Sequence, residues 1–264
     1  MNYEHTMTAV FLSRPNRFLA HALLDGREVV CHVKNTGRLK ELLNPGVPVV
    51  IQHHPDAKAA GRKTEYSLIA VASPVLGGSQ WVNIDSLAPN QAAYEWLSAG
   101  DGLPFCPRPT DIRREVSHGG SRFDLAFSCQ GQPWFMEVKG VTLNVNRQAR
   151  FPDAPTERGI RHLHGLSDAV KEGFGAAVLF VLQMQDCASF APQSQSSGIR
   201  RGSPVREGSR RPYLGLGLRG IGSVHEDPAA GAGHTVNPLH RRRFESPHLK
   251  ACLHVLFVCY ISHK

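Results

Sequence analysis

The stretch Pro133–Leu143, with the sequence PWFMEVKGVTL, decides the fold of the second half of this 264-residue chain. Its run of apolar and β-branched residues predicts a strand. Side chains alternate between the two faces of a strand, so Glu137 and Lys139 project together while Val138 points into the core. The stretch therefore predicts a sheet position at which a carboxylate and an ammonium group lie side by side.

Two strands are predicted before this stretch, at Arg114–Ser117 and Ser121–Phe127. Gly119-Gly120 and Gln130-Gly131 separate the three strands and indicate turns. A short helix is expected earlier, at Gln91–Leu97. These elements predict a sheet of neighbouring strands joined by connections of hairpin length.

A helix and a buried strand are predicted after it. Asp153 can cap this helix, with Pro155 in its first turn, and Gly173 closes it. Its apolar stripe consists of Ile160, Leu163, Leu166 and Val170. The continuous apolar run Ala176–Leu182 is typical of a strand covered on both faces. Since strand, helix and strand in this order imply a right-handed parallel crossover, residues 86–192 are predicted to form an α/β domain.

Residues 1–85 are rich in short β-like runs. Phe18–Leu24 and Glu28–Val33 flank Asp25-Gly26, which is a hairpin signal. Further runs follow at Val47–Gln52, Glu65–Ala72 and Trp81–Ile84. Strands at this spacing predict a small barrel; a five-stranded nucleic-acid-binding barrel is one option, and any other small β-domain remains open.

The net charge of +8 does not by itself indicate a nucleic-acid partner, because of where it lies. From Arg200 onward the chain has eleven Lys and Arg but only four Asp and Glu. The rest of the chain has 19 basic and 18 acidic residues, so its charges nearly balance. Residues 193–264 lack apolar periodicity and are predicted to form an irregular basic tail of low order. DNA binding can therefore be inferred only from local groups of residues.

Asp124 lies on the strand before Glu137, and the two carboxylates are expected to meet. Two carboxylates and a backbone carbonyl suit Mg²⁺ or Mn²⁺, and Glu115 is a candidate third carboxylate. Lys139 beside such a cation can orient a water for attack on a phosphodiester. The predicted catalytic residues are thus Asp124, Glu137 and Lys139, although a surface Glu–Lys ion pair would show the same spacing.

Arginines near this cluster are candidate phosphate contacts. Arg122 shares a strand face with Asp124, and Arg158 and Arg161 lie on one side of the predicted helix, where a solvated face is the alternative. In the first region a basic rim is predicted on the barrel, formed by Arg14, Arg17, Lys34, Asn35 and Arg38.

Other residues point away from special chemistry. The six cysteines form no C-x-x-C pair and are expected to be ordinary reduced cysteines, and His53-His54 is expected to be exposed. The start of the chain shows no secretory signal. The longest apolar stretch, Ala251–Ile261, is too short to span a bilayer. A cytoplasmic protein without membrane attachment is expected.

Several stretches together resemble the sugar fermentation stimulation protein family, SfsA. They are RFLA at 17–20, HVKNTGR at 32–38, SRFD at 121–124, EVKGVTL at 137–143 and FPDAPTERG at 151–159. The resemblance implies an N-terminal OB-like barrel joined to a PD-(D/E)XK nuclease-like domain, with Asp124, Glu137 and Lys139 in its motif. It also implies DNA binding and a link to sugar (maltose) utilisation in bacteria.

Three functions remain open at this point. The first is a DNA-binding Mg²⁺-dependent nuclease, and the second is a non-catalytic DNA-binding regulator of sugar (maltose) metabolism genes. The third is a defective product, because the resemblance ends near Pro192. We hypothesise that the tail is an out-of-frame C-terminus. Reading the coding DNA in all frames tests this hypothesis. If none of the alternative frames restores a helix–strand pattern, the hypothesis is wrong.

Overall fold

The structure is a computed structural model. It describes residues 1–73, 80–100, 102–103, 105–151, 157–185, 187, 189–192, 218–219 and 254–261. No helix within these ranges is long and apolar enough to cross a membrane.

The N-terminal domain is a closed five-stranded barrel. Its strands are β1 (Thr6–Ser13), β2 (Leu19–Leu24), β3 (Arg27–Val33), β4 (Pro48–His53) and β5 (Tyr66–Ala72). Strand β1 pairs with β2 and β4, and the outer strands β3 and β5 pair in parallel to close the barrel. A sixth strand, β6 (Trp81–Asn83), extends the sheet from β5. The five-stranded option for this region is confirmed.

The predicted hairpin at Asp25-Gly26 joins β2 to β3. Both residues have positive φ, at 48° and 78°, which suits a tight two-residue turn. Small residues then fill the barrel interior where the strands curve together: Ala20 and Ala22 are almost wholly buried, as is Cys31. Local turn chemistry and side-chain alternation thus account for this part of the barrel.

The second domain is an α/β sheet. Its elements are α1 (Ala88–Ser98), β7 (Thr110–His118), β8 (Ser121–Cys129), β9 (Gln132–Val141), α2 (Glu157–Lys171) and β12 (Gly175–Leu182). Strands β7, β8 and β9 run antiparallel in sequence order, and β12 lies parallel to β9. A small separate sheet contains β10 (Leu143–Val145), β11 (Gln148–Phe151) and β13 (Ser189–Pro192). The predicted crossover from β9 through α2 to β12 is confirmed.

The two helices cover opposite faces of this sheet. Leu97 of α1 shares a core with Leu125, Met136 and Leu179, whereas Leu166 of α2 packs in the core that contains the other strand face. All eight residues of β12 are buried, as expected for a central strand covered on both sides. The predicted helix cap at Asp153 and Pro155 lies outside the described residues.

Two segments of the predicted tail are described. Strand β15 (His254–Ile261), within the longest apolar stretch of the chain, pairs antiparallel with β12, and β14 (Leu218–Arg219) pairs with β15. Neither strand was predicted from the sequence. The rest of residues 193–264 lies outside the described part, and its irregularity stays a prediction.

A buried polar joint fastens the barrel to the second domain. The amide of Asn83 donates to the carbonyl of Gln183, at 2.8 Å, and the side chain of Gln183 donates to the carbonyl of Asp85, at 3.0 Å. The Asp85 carboxylate is 1% exposed and accepts from Lys34, at 2.6 Å, and from Tyr3, at 3.2 Å. Gln183 also bonds to Val141, which places this joint at the end of the decisive strand β9.

Gly140 shows how closely the joint approaches the site. A Cβ at this position would lie 2.3 Å from Oε1 of Gln183 and 2.8 Å from Cγ of Pro89. Only a residue without a side chain fits there, because both contacts are closer than real Cβ atoms make. The glycine after Lys139 therefore allows α1 and the joint to pack against β9.

The cysteines differ from expectation at one pair. Cys106 and Cys129 form a disulfide with a Cα–Cα distance of 5.7 Å, so these two are not the reduced cysteines that were predicted. Their 23-residue separation carries no motif. The fold brings them together, because the segment before β7 packs against the end of β8 and Leu103 bridges to Cys106. Cys31 and Cys187 are not part of a disulfide.

Candidate active site

Asp124 lies beside the strand that carries Glu137. Its Oδ2 accepts a hydrogen bond from the backbone N–H of Val138, at 2.7 Å, and its Oδ1 accepts one from the side chain of Asn90, at 2.7 Å. Burial raises the pKa of the Asp124 carboxyl, and the charge of Glu137 raises it further. The predicted meeting of the two carboxylates is thus present in the fold.

Glu137 is a buried carboxylate with one oxygen in use and one without a donor. It is 2% exposed, and its Oε1 accepts from Nζ of Lys139, at 2.5 Å, and contacts Nδ1 of His162. Its Oε2 is buried and has no hydrogen-bond partner among the described residues. A buried carboxylate oxygen without a donor is costly unless a ligand completes its coordination.

Two residues at this site were not predicted from the sequence, namely Asn90 and His162. Asn90 lies in the first turn of α1, and no pattern in the chain marks it as a partner of Asp124. His162 lies on α2, four residues before the buried Leu166. Since residues four apart share a helix face, its alignment with the apolar stripe was a usable signal that His162 points inward.

Glu115 and Arg122 form an ion pair with each other. The Nε of Arg122 lies 2.7 Å from Oε2 of Glu115, and both side chains are largely exposed. Within the described ranges, no group of three or more His, Cys, Asp or Glu side chains is arranged to hold a metal ion. The proposed roles of Glu115 as a metal ligand and of Arg122 as a phosphate contact therefore stay predictions.

Two predicted arginines belong to α2, the helix from which His162 approaches Glu137. Arg161 is exposed on α2, one residue before His162. Arg158 belongs to the same helix, but its side chain lies outside the described residues. Their predicted contacts with phosphate also stay predictions.

On the barrel, Arg14 uses its guanidinium to hold a loop together. Nη1 donates to the carbonyl of Gly37, at 2.7 Å, and to that of Arg38, at 3.1 Å. Nη2 donates to the carbonyl of Asn35, at 2.6 Å, and to that of Arg17, at 2.8 Å. Burial lowers the pKa of Arg14. Arg14 thus positions the loop of the predicted rim, in which Arg17 and Arg38 are exposed.

The side chain of Asn35 tightens the same loop. Its Oδ1 accepts from the amide of Gly37, at 2.8 Å, which makes a compact Asn-Thr-Gly turn. The structure therefore brings Arg14, Arg17, Asn35 and Arg38 together as predicted, but in unequal roles. Arg14 and Asn35 build the loop, whereas Arg17 and Arg38 face solvent.

Comparison with known proteins matches both domains in order. Residues 12–84 match the family described as SfsA N-terminal OB domain, and residues 87–197 match the Sugar fermentation stimulation protein RE domain. The chain belongs to the sugar fermentation stimulation protein family. The OB-like barrel and the α/β domain expected from the resemblance are confirmed, and neither family match extends past residue 197.

Relatives in this family cover most of the chain. A Sugar fermentation stimulation protein homolog of Clostridium beijerinckii is 44% identical over 196 residues, which cover 74% of this chain and 82% of that protein. One from Desulfitobacterium hafniense is 45% identical over 192 residues, or 73% and 79% of the two chains. A solved structure, of Pyrococcus furiosus SfsA in complex with Ca²⁺, superposes with a TM-score of 0.62 at 28% identity, covering 73% of this chain and 79% of that one.

Proposed function

We propose that this protein binds DNA and hydrolyses phosphodiester bonds at Asp124, Glu137 and Lys139, with Mg²⁺ or Mn²⁺ as its cofactor. The observation that carries the proposal is the buried Oε2 of Glu137, which has no hydrogen-bond donor among the described residues. A divalent cation is the ligand that such an oxygen takes beside a second carboxylate.

The donor set at this site fits a hard cation. Asp124 and Glu137 offer carboxylate oxygens, and each oxygen of Asp124 keeps a lone pair beyond the one hydrogen bond that it accepts. Such a cation would supply Lewis acidity toward a phosphate oxygen. The relative from Pyrococcus furiosus, whose structure is described as a complex with Ca²⁺, supports the binding of a divalent cation by this chain.

The surrounding side chains hold these groups in place. Asn90 and the amide of Val138 fix the two oxygens of Asp124. His162 and Lys139 both contact Oε1 of Glu137, so its carboxylate plane is set from one side. Lys139 is partly exposed, and its ammonium group can hold a water in position for attack on phosphorus.

The basic groups provide the path for the DNA backbone. We assign Arg17 and Arg38 on the barrel to phosphate contacts, and Arg122, Arg158 and Arg161 to the same task beside the carboxylates. Arginine suits this role because its planar donors match the phosphate oxygens in pairs. Arg14 and Asn35 serve the barrel contact by holding the loop that carries Arg38.

The alternative is a non-catalytic DNA-binding regulator of genes for sugar (maltose) metabolism. One observation favours it: the basic loop of the barrel is held by carbonyl groups of the chain and needs no cation to form. In this function the same groove would hold DNA without cutting it. Family membership supports a link to sugar fermentation in either case.

A cleavage assay separates the two functions. The full chain, Lys139→Ala and the control Lys171→Ala are incubated with single-stranded, duplex and branched DNA in Mg²⁺, Mn²⁺ or EDTA. Lys171 is an exposed lysine of α2 paired with Asp168, so its loss tests for a general effect of charge. We expect metal-dependent cleavage that falls on the order of 100-fold in Lys139→Ala, since a positioned donor contributes about that much, and is retained in Lys171→Ala.

Two results would overturn parts of this proposal. DNA binding that persists in EDTA, without cleavage of any substrate under any condition, would remove hydrolysis and leave the regulator. Absence of DNA binding at low salt would remove both functions.

A further inference from the structure

A second basic cluster lies on the outer surface of the barrel, where β3 meets β5. His32 pairs with Ser67 across these parallel strands. Its neighbours Cys31 and Val33 are buried in the barrel core, so alternation directs His32 away from the interior. Lys34 follows two residues later, and the connection from β4 to β5, residues 54–65, brings His54 and Arg62 to Ser67.

Ser67 binds two side chains of this connection, those of Arg62 and His54. Its hydroxyl belongs to a residue with 0% exposure, and it accepts a hydrogen bond from Nη2 of Arg62, at 2.9 Å. Nε2 of His54 lies 2.9 Å from the same oxygen. His54 was expected to be exposed, but it is half-buried against this hydroxyl. One buried oxygen thus holds two basic side chains above β5.

The positive charge of the cluster lies on Arg62. Burial lowers the pKa of His32 and of His54, and the charges of Arg62 and Lys34 lower both further, so the two imidazoles are neutral near pH 7 and each can donate an N–H. The charge of Asp85 raises the pKa of His32, but this carboxylate already bonds to Lys34 and Tyr3. In the described part of the chain, no carboxylate forms an ion pair with Arg62. A guanidinium group held by a neutral hydroxyl, beside imidazole N–H donors, favours an anion from outside the chain.

We propose that Arg62, His54 and His32 form a phosphate subsite on the barrel that takes one phosphodiester group of the bound DNA backbone. The inference rests on the proposed DNA binding and extends it to a surface that the predicted rim does not include. Through Lys34 the cluster continues directly into the loop Asn35–Arg38, so the two surfaces can follow one strand of DNA.

The position of the cluster favours a nucleic acid over an isolated anion. The connection between the fourth and fifth strands is a common nucleic-acid contact region in barrels of this kind. The rings of His53 and Tyr66, with centroids 5.1 Å apart, lie on the other side of their strands, since Tyr66 packs against the barrel core.

The test measures DNA affinity against salt concentration. Binding of a 20-nucleotide single strand and of its duplex is followed by fluorescence anisotropy in EDTA, so that no substrate is cut. Arg62→Ala is compared with Lys63→Ala, whose side chain is the exposed neighbour on the same connection. His54→Gln serves as a second variant, since glutamine can still hydrogen-bond to Ser67, and thermal unfolding checks that each variant folds.

We expect Arg62→Ala to weaken binding about ten-fold and to reduce the slope of log affinity against log salt by about 0.7 to 0.9, as one lost phosphate contact does. His54→Gln should weaken binding by a smaller factor, and Lys63→Ala should keep the wild-type slope. Addition of inorganic phosphate should compete only weakly, because a single free anion lacks the neighbouring contacts.

Other outcomes overturn the subsite. If Arg62→Ala and His54→Gln both fold and bind DNA with the wild-type affinity and slope, the subsite is wrong while DNA binding stands. An equal loss of DNA affinity in Arg62→Ala and Lys63→Ala would show that only the total positive charge matters, and it would also reject the subsite. If the wild-type chain binds neither DNA, the proposed function fails and the subsite with it.

Discussion

The two domains hold their charged groups in opposite ways. On the barrel, the guanidinium groups of Arg14 and Arg62 are held by neutral partners, namely backbone carbonyls and the hydroxyl of Ser67. In the α/β domain, the half-buried Asp124 lies close to the buried Glu137, and only Glu137 contacts a lysine. Neutral partners leave the positive charge of the barrel uncancelled, whereas adjacent carboxylates repel a phosphate.

This difference separates binding from chemistry. A DNA backbone is attracted to the barrel without any cofactor, but its approach to Asp124 and Glu137 requires a cation that cancels their charge. Metal removal should therefore abolish cleavage and leave most of the affinity. The comparison can be tested at the joint between the domains, at the barrel loop and at the carboxylates.

The largest effect is expected at the joint. In Gly140→Ala the new Cβ would collide with Gln183 and Pro89, and overpacking of this kind costs about 2 kcal/mol. The free energy of unfolding, measured with urea, should fall by that amount. Gly120→Ala is the matched control, because nothing lies within 4 Å of its Cβ. Equal stability of the two variants would show that the domains are not fastened at this point.

An intermediate effect is expected in the barrel loop. Arg14→Lys keeps the charge but cannot donate to all four carbonyls, and a loss of two hydrogen bonds at about 1 kcal/mol each loosens the loop. DNA affinity should fall about ten-fold while the salt slope stays unchanged, whereas Arg38→Ala should reduce the slope by about 0.9. A reduced slope in Arg14→Lys would mean that Arg14 itself contacts phosphate.

The smallest effect is expected at the carboxylates. In EDTA, Glu137→Gln removes one negative charge from the path of the DNA, and unit charges about 4 Å apart in water interact by about 1 kcal/mol. Duplex affinity should therefore rise about five-fold, as measured by anisotropy. Glu172→Gln, at an exposed carboxylate that contacts His118, should leave the affinity unchanged. An affinity that falls in Glu137→Gln would contradict the repulsion on which the comparison depends.

Much of the fold follows from local patterns. Asp25-Gly26 predicts the hairpin because its residues tolerate positive φ, and the apolar run Ala176–Leu182 predicts a central strand. Alternation along β9 predicts that Glu137 and Lys139 share a face, and the two side chains are in contact. These predictions succeed because each depends on residues close together in the chain.

The remaining parts of the site depend on residues far apart. Asn90 meets Asp124 across 34 positions, and His162 meets Glu137 across 25. Cys106 meets Cys129 only because the segment before β7 packs against the end of β8. No periodicity relates such pairs, so the local sequence does not predict them.

The sequence by itself determined the order of the two domains, the strand that carries Glu137-Val138-Lys139 and the family. Turn chemistry, alternation and motif spacing are local properties, and they are readable along the chain. Only the tertiary structure decided which charged groups are already used. It assigned Arg14 to the carbonyls of its own loop, placed Arg62 and His54 on one hydroxyl, and left Oε2 of Glu137 without a donor among the described residues. The physical reason is that hydrogen bonding and burial depend on distances in space, which are set by the packing of elements far apart in the chain.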